Sequence, residues 1–243
     1  MDSFYSDATT GMTFDQKIGA ALQFNNLSAS TKNVLAKVYT TLSFCMLTCV
    51  AGTLFSMFIY QANFILVFIA SLVTIYKFVT TQTYKKNERL SYLLLFCLLT
   101  GVSLTPLINM AISINESIVI TALMATTGIF VSFTLFSLLT DKRSFLFMGG
   151  TLASACLGLF VLSLSQVLFI HSEQLDWIIT VSYFLLMVVF LVYDTQMIVY
   201  RIERGYKDEL SHAFTLFIDF VDIFRMVLKL LMKQEKRRER NNN

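Results

Sequence analysis

Apolar residues run in long unbroken blocks along this chain, and polar residues gather in the short stretches between them. Seven blocks stand out, at 35–60, 62–79, 91–112, 118–139, 145–170, 177–200 and 212–232. Each lies at or near the length of about 20 residues that a helix needs to cross the hydrocarbon core of a bilayer. Strict apolar–polar alternation is absent, which argues against barrel strands. The expected fold is therefore all-α, a multi-pass membrane bundle of seven hydrophobic helices. One compact membrane domain spans 34–232. A polar segment, 1–33, precedes it, and a basic tail, 233–243, follows.

Composition agrees. The chain is 56% hydrophobic and 14% charged, where soluble domains carry about 25% charged residues. Twenty-three phenylalanines stand against a single proline. Cys45, Cys49, Cys97 and Cys156 all sit inside apolar blocks without CxxC spacing and read as small packing residues. With two histidines, His171 and His212, a histidine-rich metal site is excluded and no resident cofactor is implied. Residues 1–33 show no removable signal peptide, so the first apolar block is expected to act as the targeting signal. Thr13–Phe24 reads as a short amphipathic stretch at the interface.

Charge orients the spans. Lys85, Lys86, Arg89, Lys142, Arg143, Arg201, Arg204 and Lys207 fall in alternate loops, and the opposite loops offer Glu116, Glu173 and Asp176. The positive-inside rule then places the N-terminus in the cytosol. Trp177 fits an interfacial anchor. An odd number of spans sends the tail, with Lys233, Lys236, Arg237, Arg238 and Arg240, to the far side; a re-entrant seventh segment would return it. Within the spans, Gly150, Ser154 and Gly158 predict a small-residue stripe against which another helix packs closely. Pro106 predicts a kink beside a polar face of Gly101, Thr105 and Asn109.

Two carboxylates break the apolar pattern most sharply. Asp194 lies in "FLVYDTQMIVY" and Asp219 in "LFIDFVDIF", equidistant from the loop near Tyr206–Lys207. At about 1.5 Å per residue, each sits roughly 10 Å inside its helix, so antiparallel neighbours would present them at one depth. On the seventh helix His212, Asp219, Asp222, Arg225 and Lys229 fall within an arc of about 140°. That stripe needs protein or water to face. Asp222 and Arg225, three apart, read as an ion pair, and His212 reads as a solvated residue near the helix start. No basic residue lies within a turn of Asp194. Intramembrane acids of this kind mark ion or proton pathways. A close carboxyl pair titrates as a unit. Sharing a proton it bridges two helices, and ionised it offers hard oxygen ligands to Ca²⁺. Proton and calcium would compete for one place.

Around these residues the chain resembles the transmembrane Bax inhibitor motif family. The likeness runs from "FDQKIGAALQF" through "LAKVYTTLSFCM", "LLTGVSLTP" and "SFLFMGGTL" to "YDTQMI", "HAFTLFIDFVDIFR" and the basic tail. The resemblance implies six helices around a central, semi-polar seventh, with Asp194 and Asp219 as the acidic pair that gates a pH-sensitive calcium leak. It implies residence in the endoplasmic reticulum membrane, a lowered luminal calcium load, suppression of stress-induced cell death and association with Bcl-2-type proteins. It implies a role for the tail in pH sensing. Some members also carry an arginine latch near the end of the second helix, where this chain has Lys77. The implied partners are the bilayer and Ca²⁺ rather than nucleic acid.

Three other function classes share part of this pattern. Intramembrane aspartyl proteases also place two aspartates on adjacent helices, one after a tyrosine as in Tyr193–Asp194, and a proton-sharing dyad suits peptide hydrolysis. Their Gly-x-Gly-Asp and Pro-Ala-Leu segments are missing, with Phe217 and Ile218 before Asp219. A seven-helix receptor lacks its Asp-Arg-Tyr and NPxxY-like signatures. A pure adaptor for death-regulating proteins would not need Asp194.

Overall fold

The computed structural model describes residues 29–59, 63–139, 148–168 and 172–242. The amphipathic stretch expected at Thr13–Phe24 lies outside them. Among the described residues the regular structure is helical throughout: α1 Ala29–Phe58, α2 Phe64–Thr80, α3 Lys86–Ile114, α4 Ser117–Leu139, α5 Gly149–Leu168, α6 Glu173–Glu203 and α7 Glu209–Asn242. Five of these, α1 and α3 to α6, are long and apolar enough to cross a membrane. The shorter α2 has 17 residues, and α7 carries the charges foreseen for it. The protein is a multi-pass helical membrane bundle.

Local chemistry sets the turns. Asn63 caps α2 by accepting a hydrogen bond from the Ile65 amide at 3.0 Å. Asn115 receives both the amide and the hydroxyl of Ser117, at 3.0 and 2.9 Å, so α3 reverses into α4 almost at once. Gly205, at φ +96°, closes α6 in a left-handed conformation that other residues avoid. Pro106 lies within an uninterrupted α3.

Helix α7 occupies the middle and packs against α6, α1, α4 and α3. The outward faces carry residues such as Phe44, Leu47, Leu157 and Ile178, each more than half exposed, as lipid contact requires. Loops alternate between two ends. At the basic end Lys86 meets Glu209 and the Lys207 ammonium meets Ser30. At the acidic end Lys233 pairs with Asp176 and Arg240 with Glu173. A single helix, α7, therefore runs the full depth of the bundle. Its 34 residues measure about 51 Å at 1.5 Å each. The tail continues this helix to the far end, and a re-entrant seventh segment is ruled out.

The small-residue stripe of α5 is not where helices approach. Gly150, Ser154 and Gly158 are exposed, and a Cβ on either glycine would meet nothing within 4 Å. Close approach occurs between α1 and α3 instead. A Cβ at Gly101 would fall 2.0 Å from the Cys49 carbonyl oxygen, and one at Gly52 would fall 2.2 Å from that of Leu98. Both clashes are with backbone, which cannot rotate away. Cys45, Cys49 and Cys97 are buried free thiols near this seam, in keeping with a packing role.

Two outcomes follow from this packing. Gly101→Ala should destabilise the detergent-solubilised protein by about 1–3 kcal/mol, towards the upper end, as read by thermal unfolding. An epitope placed after Asn243 and another in the 81–85 loop should be reached from opposite sides of sealed vesicles.

Candidate functional site

The site is organised by the reversal between α6 and α7. Beyond Gly205, Asp208 immediately precedes α7, its carboxylate accepting from the Ser211 hydroxyl at 2.7 Å. The same carboxylate takes both terminal nitrogens of Arg89, from the start of α3, at 3.0 and 2.8 Å. Arg89 also reaches the Ser211 hydroxyl at 3.0 Å and lies 4.9 Å over the Phe78 ring. Its side chain is 6% exposed. A forked guanidinium matched to a carboxylate is among the stronger polar contacts available to a protein. Burial works to raise the Asp208 carboxyl, but the hydrogen bonds from Arg89 and Ser211 outweigh it and hold the group below the usual carboxylate range. By sequence Arg89 is one loop charge among eight. Its signal, a carboxylate one residue ahead of α7, becomes visible only once α3 and α7 are known to be neighbours.

Above this clamp lie the two acids. Asp194 is nine residues before the end of α6 and Asp219 ten residues after the start of α7, or about 14 and 15 Å deep at 1.5 Å per residue. Both are deeper than the expected 10 Å because the helices outrun their apolar blocks, yet the depths still match. Asp219 is 7% exposed; Asp194 is half-buried. The charges that act on Asp219 are those of Asp194 and Asp222, and the cation whose charge reaches Asp194 is Arg201. Asp219 Oδ2 is buried without a hydrogen-bond partner among the described residues. So is the Thr126 hydroxyl on α4, while Tyr39 Oη on α1 and the Thr134 hydroxyl on α4 are buried facing one another without a well-formed hydrogen bond; both helices pack on α7. Nothing in the residues alone marks these three, since a lone hydroxyl in an apolar helix usually returns to its own backbone. Nearby, Ser137 donates to the Val192 carbonyl at 2.9 Å and ties α4 to α6.

Other expected residues divide. Asp222 and Arg225 form the anticipated pair at 3.4 Å. Lys229, one turn on, is exposed. His212 is not solvated but buried at 4% exposure, because the chain doubles back over it and its Nε2 donates to the Tyr206 carbonyl at 3.1 Å. Lys77 is exposed on α2 and forms no latch to the acids; Arg89 reaches Asp208 instead. In the tail, the Lys233 ammonium donates to Thr180 Oγ1 at 2.6 Å, and Arg240 grips Glu173 at 2.9 and 2.7 Å. Arg237 stacks 4.7 Å over Trp177. Arg238 pairs loosely with Glu235 at 3.7 Å, and Lys236 is exposed beside Asp176. Among the described residues no group of three or more His, Cys, Asp or Glu side chains forms a metal cage. Any cation at the acidic pair would therefore be held by few protein ligands.

Comparison with known proteins finds relatives along nearly the whole chain. The sequence profile of the family described as "Inhibitor of apoptosis-promoting Bax1" matches residues 31–236. The chain is 47% identical to the "Bax inhibitor 1 homolog" of Dictyostelium discoideum, covering 99% of this chain and 96% of that protein. It is 35% identical to "Bax inhibitor 1" of Homo sapiens, covering 92% and 96%. With "Bax inhibitor 1" of Arabidopsis thaliana it shares 32%, over 89% and 87%.

The clamp makes its own prediction. Arg89→Met leaves the Asp208 carboxylate without its partner and should cost about 3 kcal/mol, the low end for a broken buried pair because Asp208 keeps some contact with water. A carboxyl held low contributes stability that is present above its ordinary value of about 3.9 and lost as pH falls through the folded value. Thermal unfolding across that acid range should show the loss in the parent protein and a reduced one in Asp208→Asn.

Proposed function

The chain belongs to the family of inhibitors of apoptosis-promoting Bax1, and from that premise we propose that it is a pH-sensitive calcium leak or H⁺/Ca²⁺ exchanger of the endoplasmic reticulum membrane. By lowering luminal calcium it suppresses stress-induced cell death. Its basic end faces the cytosol, following the positive-inside rule, and its acidic end, with the tail, faces the lumen.

One observation carries the proposal. Asp219 Oδ2 is buried in the bundle with no hydrogen-bond partner among the described residues, while a second carboxylate, Asp194, stands at the same depth on the adjoining helix. A buried carboxylate oxygen left alone is costly and calls for a proton, a water or a cation. Two unit charges 4 Å apart repel by about 4 kcal/mol at an effective dielectric of 20, so a close pair is stable only when something positive sits between them. A single proton does so and joins α6 to α7. Without it the two groups present hard oxygens suited to Ca²⁺, whose sites tolerate irregular geometry and bound waters. Proton and calcium exclude one another, which couples flux to pH. The buried Thr126 hydroxyl, without a hydrogen-bond partner among the described residues on a helix packed against α7, supports a bundle interior that admits water. The α6–α7 turn, fixed by Arg89 and Asp208, keeps the two acids in register.

Purified protein in calcium-loaded liposomes tests the proposal. A single linked proton changes a rate by up to about tenfold per pH unit, the equivalent of 1.36 kcal/mol. The parent protein should show such a dependence, and Asp194→Asn and Asp219→Asn should each flatten it. If both variants fold and leak as the parent does at every pH, the ion-path reading is wrong, and binding of death-regulating proteins becomes the better account.

A further inference from the structure

A second feature lies apart from the two acids. Helix α2 touches α7 near the basic end, where the Phe78 and Phe214 rings are 5.3 Å apart. Phe96 of α3 packs on both Phe214 and Phe217, at 5.3 and 6.3 Å, and forms a floor. Towards the acidic end α2 and α7 diverge, and the wedge between them is a cavity of about 610 Å³. That volume lies within the roughly 300–1,000 Å³ of sites that hold one small molecule.

The walls differ in kind. The α2 and α3 sides are mostly apolar, broken by Ser71, Thr100 and Ser103, while α7 contributes Asp222, Arg225 and Lys229. Asp222 and Arg225 offset one another at 3.4 Å. Lys229 is exposed and makes no ion pair or hydrogen bond among the described residues. The cavity therefore carries one uncompensated positive charge, which disfavours a metal cation and favours an anion. Depth adds a constraint. Lys229 is one turn from Lys233, which is bound to Asp176 at the acidic end, so its ammonium stands at headgroup level while the apolar floor lies deeper. A cation at the rim and a greasy channel beneath it match an amphiphile with an anionic head and an acyl chain.

We infer that the wedge between α2, α3 and α7 binds a long-chain fatty acid, its carboxylate on Lys229 and Arg225 and its chain reaching the Phe96 floor. The wedge opens towards lipid, and its volume of about 610 Å³ suits one acyl chain; a two-chain phospholipid would leave the second outside. The site is independent of the Asp194–Asp219 reading and survives or fails without it.

The test is equilibrium binding of radiolabelled oleate to the full chain in nanodiscs of neutral phospholipid. One saturable site per chain is expected. Lys229→Met should weaken it about tenfold, the usual scale for losing a charge-assisted contact, and methyl oleate should compete at least about tenfold less well than oleate. Ser103→Phe, which puts a ring into the cavity, should abolish binding. Because Lys229 is exposed and without an ion-pair partner, its variant tests the idea even if the bulkier substitution misfolds. Equal competition by methyl oleate, or parental affinity in Lys229→Met, would overturn the proposal. So would displacement of oleate by phosphatidylglycerol at equal mole fraction, which would assign the wedge to a phospholipid instead.

Discussion

Lipid tails offer no hydrogen bonds, so a helix bearing His212, Asp219, Asp222, Arg225 and Lys229 can lie at membrane depth only when other protein shields it. Everything else in this bundle answers that constraint. Helices α1, α3, α4 and α6 pack on α7 and hide its polar stripe, and their own outward faces turn to lipid. The closest crossing, between α1 and α3, is achieved by removing side chains at Gly52 and Gly101. The shielding is complete around Asp219 and incomplete beside α2, where the wedge leaves part of the stripe in reach of the bilayer.

The central helix is also held at both tips. At one, Arg89 forks onto Asp208 and Ser211; at the other, Lys233 and Arg240 engage Asp176 and Glu173. These contacts differ in strength. The Arg89 pair is sheltered and planar, whereas the Arg240 pair is more than half exposed on both sides, where ion pairs contribute little. Both tips of α7 join it to α3 or α6, so movement of α7 relative to α6 would be felt first by the tail contacts and last by the clamp.

Much of this was readable in the residues. All seven helices were visible as apolar blocks, because twenty apolar residues in a row have few other uses. Their ends were underestimated where polar caps such as Asn115 and Asp208 extend a helix beyond its greasy part. The equal depth of Asp194 and Asp219 was countable from the loop. The Asp222–Arg225 pair needed only helical spacing. What could not be read depends on which helices touch. Glycines four apart on α5 look the same facing lipid as facing a neighbour, while Gly52 and Gly101, one per helix, form no pattern at all. Arg89 and His212 were misjudged for the same reason: proximity to a loop says nothing about what folds over it.

Helix α2 adds a consequence for the membrane itself. Seventeen residues span about 25 Å, less than the roughly 27–30 Å of most hydrocarbon cores. The neighbouring α3, at 29 residues, and the more distant α6, at 31, have length to spare. A bilayer meeting so short a segment dimples inward rather than strand its polar ends, and the dimple falls on one flank only. The protein thus imposes a lopsided profile on its surroundings, and membranes already thin there would accommodate it with the least distortion.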